Sequence, residues 1–195
     1  MILILDCTNQ DIPLLREEFV KPVHNIVRIA GYETTILPLG TRSLPQETKA
    51  VILTGTALKD HTYRTTGLPL DLLSGALPTL GICAGMQLIA LSCGGRLIQN
   101  ETIGMTEITA VTHYPVFSGR ERFNAWEMHQ SGVEVDGECE IIATSVSGVQ
   151  GIKLRQKPWY GFLFHPEVRN EWLILSFLRE YAHTADITSP SDTIL

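Results

Sequence analysis

The feature that most constrains the fold is the segment 81–85, GICAG, in which a cysteine stands between two glycines. An apolar run at 77–80 precedes it, and a helix-forming run at 86–91 follows it. Because glycine lets neighbouring backbone approach closely, this order is typical of a strand, a crowded turn and a helix. The segment therefore predicts an α/β fold that holds Cys83 at the apex of the turn.

A cysteine at such an apex lies over the amino end of the following helix. The unpaired N–H groups and partial positive charge of that end stabilise a thiolate and, later in a reaction, an oxyanion. The position of Cys83 thus predicts a nucleophile. A buried structural cysteine between two glycines is the alternative, and Cys83 alone leaves it open.

The segment 161–167, GFLFHPE, has the pattern of an apolar strand that ends at His165. Histidine, with a reference pKa of about 6.5, can deprotonate a thiol and later protonate a leaving amine. A carboxylate such as that of Glu167 can bind the far ring nitrogen and orient the imidazole, while Pro166 restricts the short link. His-Pro-Glu alone is typical of a surface turn, but with the elbow cysteine it predicts a triad of Cys83, His165 and Glu167.

The segments GICAGMQ at 81–87 and FHPE at 164–167 together resemble those of the class I, triad-type glutamine amidotransferase domain. The resemblance extends over nearly the whole chain and implies a flavodoxin-like fold. It also implies hydrolysis of L-glutamine to glutamate and ammonia through a γ-glutamyl thioester on Cys83. His165 would be the general base and acid, Glu167 would orient it, and Gln87 matches the motif glutamine that helps to hold the substrate.

By the same resemblance, the segment 51–56, VILTGT, ends at a glycine turn where the family has its second oxyanion-hole amide. The tetrahedral oxygen needs two backbone donors, and the resemblance assigns them to Gly55 and Ala84. The family usually has a Gly-Gly-Pro-like run here, whereas this chain continues with Thr56 and Ala57.

The segment 126–132, WEMHQSG, resembles the family's stretch that binds the backbone of the glutamine substrate. It implies substrate contacts by His129 and Gln130. The residues that follow His129 differ from the commoner glycine-containing versions of this stretch.

The order of the elements predicts a three-layer α/β sandwich with a largely parallel central sheet and an antiparallel extension. In the first half, apolar runs alternate with helical patterns, which favours parallel strands joined by right-handed crossovers. In order, we expect parallel strands at 2–6, 33–37, 50–54 and 78–82, antiparallel strands at 105–112, 123–128, 139–144, 149–154 and 160–164, and helices at 12–30 and 169–183 besides the elbow helix.

The helix at 12–30 has Asp11 as its expected cap and Gly31 as its end, and Pro22 is expected either to kink it or to split it. One domain is expected over residues 1–183. The segment 184–195 is rich in Ser, Thr, Asp and Pro, and predicts a mobile tail.

Composition is that of a globular domain, with 195 residues, 44% hydrophobic and 18% charged. A net charge of −6 argues against a nucleic-acid-binding face, and no apolar run reaches the roughly 18 residues of a membrane span. The four cysteines have no metal-ligand spacing, so we expect no metal. A reducing cytoplasm is the expected compartment, since the amino terminus lacks the pattern of a secretory signal.

No nucleotide-binding motif is present, so we expect no cofactor on this chain and ATP with Mg²⁺ only on a separate synthase partner. The layout most resembles the stand-alone glutaminase subunit of two-subunit GMP synthases, with the corresponding subunits of anthranilate and aminodeoxychorismate synthases as alternatives. Two other functions stay open at this point. One is a γ-glutamyl hydrolase or peptidase with the same triad, and the other is a non-catalytic regulatory module of the same fold.

Overall fold

The computed structural model describes residues 1–71, 73 and 77–182, so the predicted tail at 184–195 lies outside the described residues. Strands β1 to β4 span Ile2–Asp6, Thr34–Pro38, Ala50–Leu53 and Thr79–Ile82. Strands β5 to β9 span Arg96–Ala110, Arg122–Glu134, Cys139–Ser145, Gly148–Leu154 and Trp159–Phe162. They form one nine-stranded sheet in the order β2-β1-β3-β4-β9-β8-β7-β5-β6.

The sheet has a parallel half and an antiparallel half that meet at β9. Strand β9 pairs in parallel with β4 and antiparallel with β8, and β1 to β4 are parallel throughout. The remaining pairs, β5 with β6, β5 with β7 and β7 with β8, are antiparallel. The predicted α/β class, with a parallel centre and an antiparallel extension, is confirmed.

Helices cover both faces of the parallel half. Helices α1 to α6 span Pro13–Leu15, Lys21–Ile29, Thr62–Thr66, Ala84–Ser92, Pro166–Arg169 and Glu171–Tyr181. Alternate residues of β1 belong to different cores: Ile2 and Ile4 pack with residues of α2 and α6, whereas Leu3 and Leu5 pack with residues of α4. This alternation follows from the period of two along a strand, and it produces the three layers. No helix in the described ranges is long and apolar enough to cross a membrane.

The helix predicted at 12–30 is divided by a π-helical turn at Arg16–Val20. Pro22 lies just after this turn and has no backbone N–H to donate to a carbonyl of the preceding turn. The wider π-helical turn adapts the helix to this missing hydrogen bond. Asp11 was wrong as a cap, because Ile12 holds the cap position and no side chain bonds there. Gly31 ends the segment with a φ of 89°, as predicted.

The antiparallel strands are longer than their apolar runs indicated. Strand β5 has 15 residues and begins at Arg96. Only Ile108 of this strand is fully buried, and the apolar Ile103 and Met105 are exposed, so no apolar run marks its length. A disulfide joins Cys93, at the end of α4, to Cys139 at the start of β7, while Cys7 and Cys83 are free and buried. This pairing differs from what a reducing cytoplasm favours.

Candidate active site

Cys83 occupies the sharp turn between β4 and α4, with φ 46° and ψ −100°. A non-glycine residue with a positive φ is strained, and such strain is typical of functional turns. The flanking glycines are sterically required. A Cβ on Gly81 would lie 2.5 Å from the Gly85 carbonyl carbon, and one on Gly85 would lie 2.6 Å from the Leu53 oxygen. The turn therefore brings β4, α4 and β3 into backbone contact and holds Cys83 over the start of α4.

His165 and Glu167 lie beside this turn, where β9 leads into α5. His165 Nδ1 lies 2.7 Å from Glu167 Oε1, and both side chains are 1% exposed. The backbone N–H of His165 donates to the Trp126 oxygen at 2.8 Å, which holds the His165 backbone against β6. A Cβ added to Gly55 would lie 2.6 Å from His165 Cε1 and 3.5 Å from Cys83 Cβ, so the imidazole and the cysteine meet at Gly55.

The second ring nitrogen of His165 is available to Cys83. His165 Nε2 is buried and has no hydrogen-bond partner among the residues that the structure describes. Burial lowers the pKa of His165, but the Glu167 carboxylate and the Cys83 sulfur outweigh it and hold that pKa well above its usual value. The imidazole can therefore carry a proton next to the sulfur, as an acid for a leaving amine must.

Of the two free cysteines, only Cys83 is placed to react. Burial, and then the neighbouring Asp6 carboxylate, raise the pKa of Cys7 far above its usual value, so this thiol stays protonated. A protonated, buried thiol is inert. Cys83 Sγ, in contrast, lies 3.7 Å from the Met128 oxygen beside His165.

The proposed oxyanion donors surround the sulfur. Ala84 is the first residue of α4, so its amide has no acceptor within the helix. Thr56 lines the cavity at Cys83, whereas Gly55 packs its Cα against the His165 ring. Gly55 and Ala84 stay predictions as oxyanion donors, and the amide of Thr56 is a further candidate next to Gly55.

Gln87 lines the same cavity but has protein partners at both ends of its amide. Its Oε1 accepts from the Tyr63 hydroxyl, and its Nε2 donates to the Ser131 oxygen at 2.8 Å. These bonds join α3, α4 and β6 around the cavity. A substrate contact by Gln87 stays a prediction, and it requires one of these bonds to be exchanged.

His129 is among the residues that line the cavity, but its ring nitrogens are bound within a buried polar cluster. Its Nδ1 lies 2.9 Å from the Asn100 oxygen, and its Nε2 lies 2.9 Å from Glu127 Oε2. Both ring nitrogens thus already have partners. The predicted contact of His129 with the substrate would therefore have to be made by its backbone. Gln130, the next residue, lines the cavity together with Ser131.

The cavity at Cys83 has a volume of about 20 Å³, enough for one water molecule but not for an amino acid. A larger cavity of about 390 Å³ adjoins it and shares His61, Arg64, Gln130 and Ser131 with it. Arg64 Nη2 donates to Ser131 Oγ at 3.0 Å and so bridges α3 and β6 between the two. The Arg64 side chain thus lies on the wall that the two cavities share. A cavity of about 470 Å³ between β5 and β6 includes none of the site residues.

Asp60, Tyr63 and Arg64, all in or next to the loop after β3, also line the cavity at Cys83 and were not predicted as site residues. The only signal in the sequence was the spacing of Thr56, Asp60 and Thr62, whose short polar side chains suit local hydrogen bonds. In the described part of the chain, no group of three or more His, Cys, Asp or Glu side chains could hold a metal ion.

A family model described as glutamine amidotransferase class-I matches residues 16–179. The chain belongs to this family. The predicted resemblance is therefore confirmed, and the elbow cysteine and the histidine of this amidotransferase lie at the carboxyl ends of parallel strands, where such sheets place their ligands.

Relatives of the amidotransferase carry a common description. A GMP synthase [glutamine-hydrolyzing] subunit from Methanocaldococcus jannaschii is 33% identical over 178 residues, which cover 86% of this chain and 88% of that protein. The protein of the same description from Methanopyrus kandleri is 29% identical over 177 residues, or 87% of this chain and 90% of its own length. A crystal structure of a putative GMP synthase subunit from Thermoplasma acidophilum has a TM-score of 0.76 at 23% identity, and covers 91% of this chain and 92% of that chain.

Proposed function

We propose that this amidotransferase hydrolyses L-glutamine to glutamate and ammonia, and passes the ammonia to a separate synthase subunit. The observation that carries the proposal is the arrangement at His165. His165 Nδ1 lies 2.7 Å from the Glu167 carboxylate. The other ring nitrogen, Nε2, is buried near Cys83 and has no hydrogen-bond partner in the described part of the chain.

In the first half of the reaction, the Cys83 thiolate attacks the side-chain amide carbon of glutamine. The negative charge that forms on the carbonyl oxygen lies at the amino end of α4, near the amides of Ala84 and of the Gly55–Thr56 loop. His165 Nε2 then gives its proton to the leaving nitrogen. Ammonia departs, and the γ-glutamyl thioester remains on Cys83.

In the second half, His165 accepts a proton from water, and the resulting hydroxide adds to the thioester carbon. Collapse of this intermediate breaks the carbon–sulfur bond, which releases glutamate and returns the thiolate next to a protonated imidazole. Glu167 keeps the imidazole oriented in both halves and stabilises its positive charge.

The relatives named above favour a particular partner. Because they are described as glutamine-hydrolysing subunits of GMP synthase, we propose that the partner is a synthase that uses ATP and Mg²⁺ to activate xanthosine monophosphate for amination. No cofactor is required on this chain for the steps above. We propose the cytoplasm as the compartment of the protein and of this partner.

The two alternative functions have less support. A γ-glutamyl hydrolase or peptidase acts on a larger molecule than glutamine, whereas the relatives named above are described as glutamine-hydrolysing subunits. A regulatory module without turnover has no need of a triad, and the contact of His165 with Glu167 is intact.

The test is the release of ammonia and glutamate from L-glutamine by the purified protein, alone and with the candidate synthase, ATP and xanthosine monophosphate. We expect equal release of both products and its loss in Cys83→Ala. Ammonia release that persists in Cys83→Ala would refute the assignment of the nucleophile. Faster turnover with the synthase than without it would support the partner.

A further inference from the structure

The loop between β3 and α3 carries Gly55 and Thr56 past the reacting atoms. In this chain the loop continues with Ala57, so no proline restricts it after Thr56. Something else must hold its backbone, because oxyanion stabilisation depends on donors that are fixed before the reaction. Hydrogen bonds to a buried side chain of the same loop hold the backbone in place.

Asp60 is the centre of these bonds. It is 8% exposed, and its two carboxylate oxygens accept four hydrogen bonds. Oδ2 accepts from the Thr56 hydroxyl at 2.5 Å and from the Asn9 backbone N–H at 2.7 Å. Oδ1 accepts from the Thr62 hydroxyl at 2.6 Å and from its backbone N–H at 3.0 Å.

The carboxylate stays charged in this setting. Burial alone raises the pKa of Asp60, but the hydrogen bonds from Thr56, Thr62 and Asn9 outweigh it and lower that pKa below its usual value. Hydrogen bonds to an ionised acceptor are stronger than those between neutral groups, so the four contacts form a rigid connection. They join the loop after β1, the loop after β3 and the start of α3.

The connection ends next to the triad. Thr56 is 4% exposed and lines the cavity at Cys83, and the preceding Gly55 packs against the His165 ring. A change at the Thr56 hydroxyl is therefore transmitted to the backbone of Gly55 and Thr56, next to Cys83 and His165.

We propose that Asp60 is a positioning residue, which acts through the Thr56 hydroxyl to hold the Gly55 and Thr56 amides where the oxyanion forms. This inference rests on the proposed glutaminase function. It assigns to a buried carboxylate the role that a rigid proline-containing loop would otherwise fill. Asp60 lines the cavity at Cys83, but all four hydrogen bonds that its carboxylate accepts come from the protein itself.

The test compares Thr56→Val, which removes the hydroxyl at nearly constant shape, with Thr56→Ser, which keeps it. Misplacing an oxyanion donor costs roughly 10- to 100-fold in rate, so we expect kcat of Thr56→Val to fall by that factor. KM for glutamine should change by less than about threefold, because the interaction is made in the transition state. Thr56→Ser should recover most of the loss.

Two reagents separate positioning from general damage. Glutamate γ-semialdehyde adds to the Cys83 sulfur and forms a tetrahedral hemithioacetal with an oxyanion-like oxygen, so its inhibition constant should rise in step with the loss of kcat/KM. Iodoacetamide alkylates the sulfur by displacement of iodide and needs no oxyanion donor. Its rate with Cys83 should be unchanged in Thr56→Val.

Thr65→Val is the matched control, because Thr65 is exposed and its hydroxyl bonds only within α3, to the Thr62 oxygen at 2.9 Å. It should leave all four measurements unchanged. If Thr56→Val does not fold, Asp60→Asn takes its place in the same assays. Asparagine keeps the shape but presents an N–H₂ group to donors.

The inference is overturned if Thr56→Val keeps its kcat, if Thr56→Ser is as damaged as Thr56→Val, or if semialdehyde binding is unaffected while kcat falls. Failure of the wild-type protein to hydrolyse glutamine with or without its synthase is a separate outcome. That result would refute the proposed function, and this inference with it.

Discussion

Replacing Glu167 by glutamine tests the central contact of the site with the smallest structural change. The side chains of Glu167 and His165 are 1% exposed, and the contact between Oε1 and Nδ1 is 2.7 Å long. A glutamine carbonyl can still accept the Nδ1 proton, so the ring can keep its orientation. The negative charge is lost, however, so Glu167 no longer opposes the effect of burial, which lowers the pKa of His165.

In other enzymes, neutralising the carboxylate of a triad lowers the rate by about 10²–10⁴-fold, which corresponds to ~2.7–5.5 kcal/mol of transition-state stabilisation. We expect a loss in this range for Glu167→Gln, because the charge is buried and in direct contact. The loss should be smaller than that of His165→Ala, which removes the base altogether. Steady-state ammonia release measures both.

The pH profile adds a sign that can be checked. The Glu167 carboxylate is one of the groups that hold the pKa of His165 above its usual value. In Glu167→Gln this pKa falls, so the alkaline limb of kcat/KM, where the imidazolium loses its proton, should move to lower pH. Glu171→Gln is the matched control, since Glu171 is exposed at the start of α6. A Glu167→Gln enzyme with at least a third of wild-type kcat/KM and an unmoved alkaline limb would refute the reasoning.

Three further results are expected. Gly85→Ala should lower the free energy of unfolding by about 1–3 kcal/mol in urea denaturation, whereas Gly40→Ala, whose Cβ would have only an ordinary contact at 3.5 Å, should not. Burial raises the pKa of Glu127, but hydrogen bonds from His129 and Ser147 outweigh burial and hold that pKa below its usual value of 4.5. The wild-type protein should therefore lose stability as the pH falls below 4.5, because the carboxylate is protonated more readily in the unfolded chain. Glu127→Gln should weaken this dependence of stability on pH. Iodoacetamide at neutral pH should leave one adduct by mass spectrometry, on Cys83 and not on Cys7, and an adduct on Cys7 would contradict its raised pKa.

The sequence was sufficient for the elbow because the rules that govern it are local. The glycines at 81 and 85 are required by backbone contacts within a few residues of Cys83 and with the adjacent strand. The same holds for the pair of His165 and Glu167, which a single proline separates. The alternation of apolar runs with helical patterns in the first half likewise predicted the layered fold.

The direction of His129 could not be predicted in the same way. On a strand, a residue faces the core or the opening according to register, and the register of β6 is set by its pairing with β5, where Thr102 lies opposite His129. Glu127, two positions earlier, lies on the same face and binds the ring. The motif located the segment correctly but said nothing about which of its faces is buried.

The role proposed for Asp60 was only partly signalled, because the local spacing of Thr56, Asp60 and Thr62 does not show what the carboxylate joins them to. One of its partners is the backbone of Asn9, 51 residues away in sequence, and these two loops meet only once β1 and β3 have paired. A side-chain contact of this kind depends on the finished sheet, whereas glycine sterics depend on the turn itself.

Strand β6 lies at the end of the sheet, yet its carbonyl oxygens contact three residues of the site. The Trp126 oxygen accepts from the His165 amide at 2.8 Å, the Met128 oxygen lies 3.7 Å from Cys83 Sγ, and the Ser131 oxygen accepts from Gln87 at 2.8 Å. A sideways movement of this one strand by about 1 Å would change all three contacts together. The positions of His165, Cys83 and Gln87 thus all depend on β6, and a partner that binds β6 would affect the three residues together.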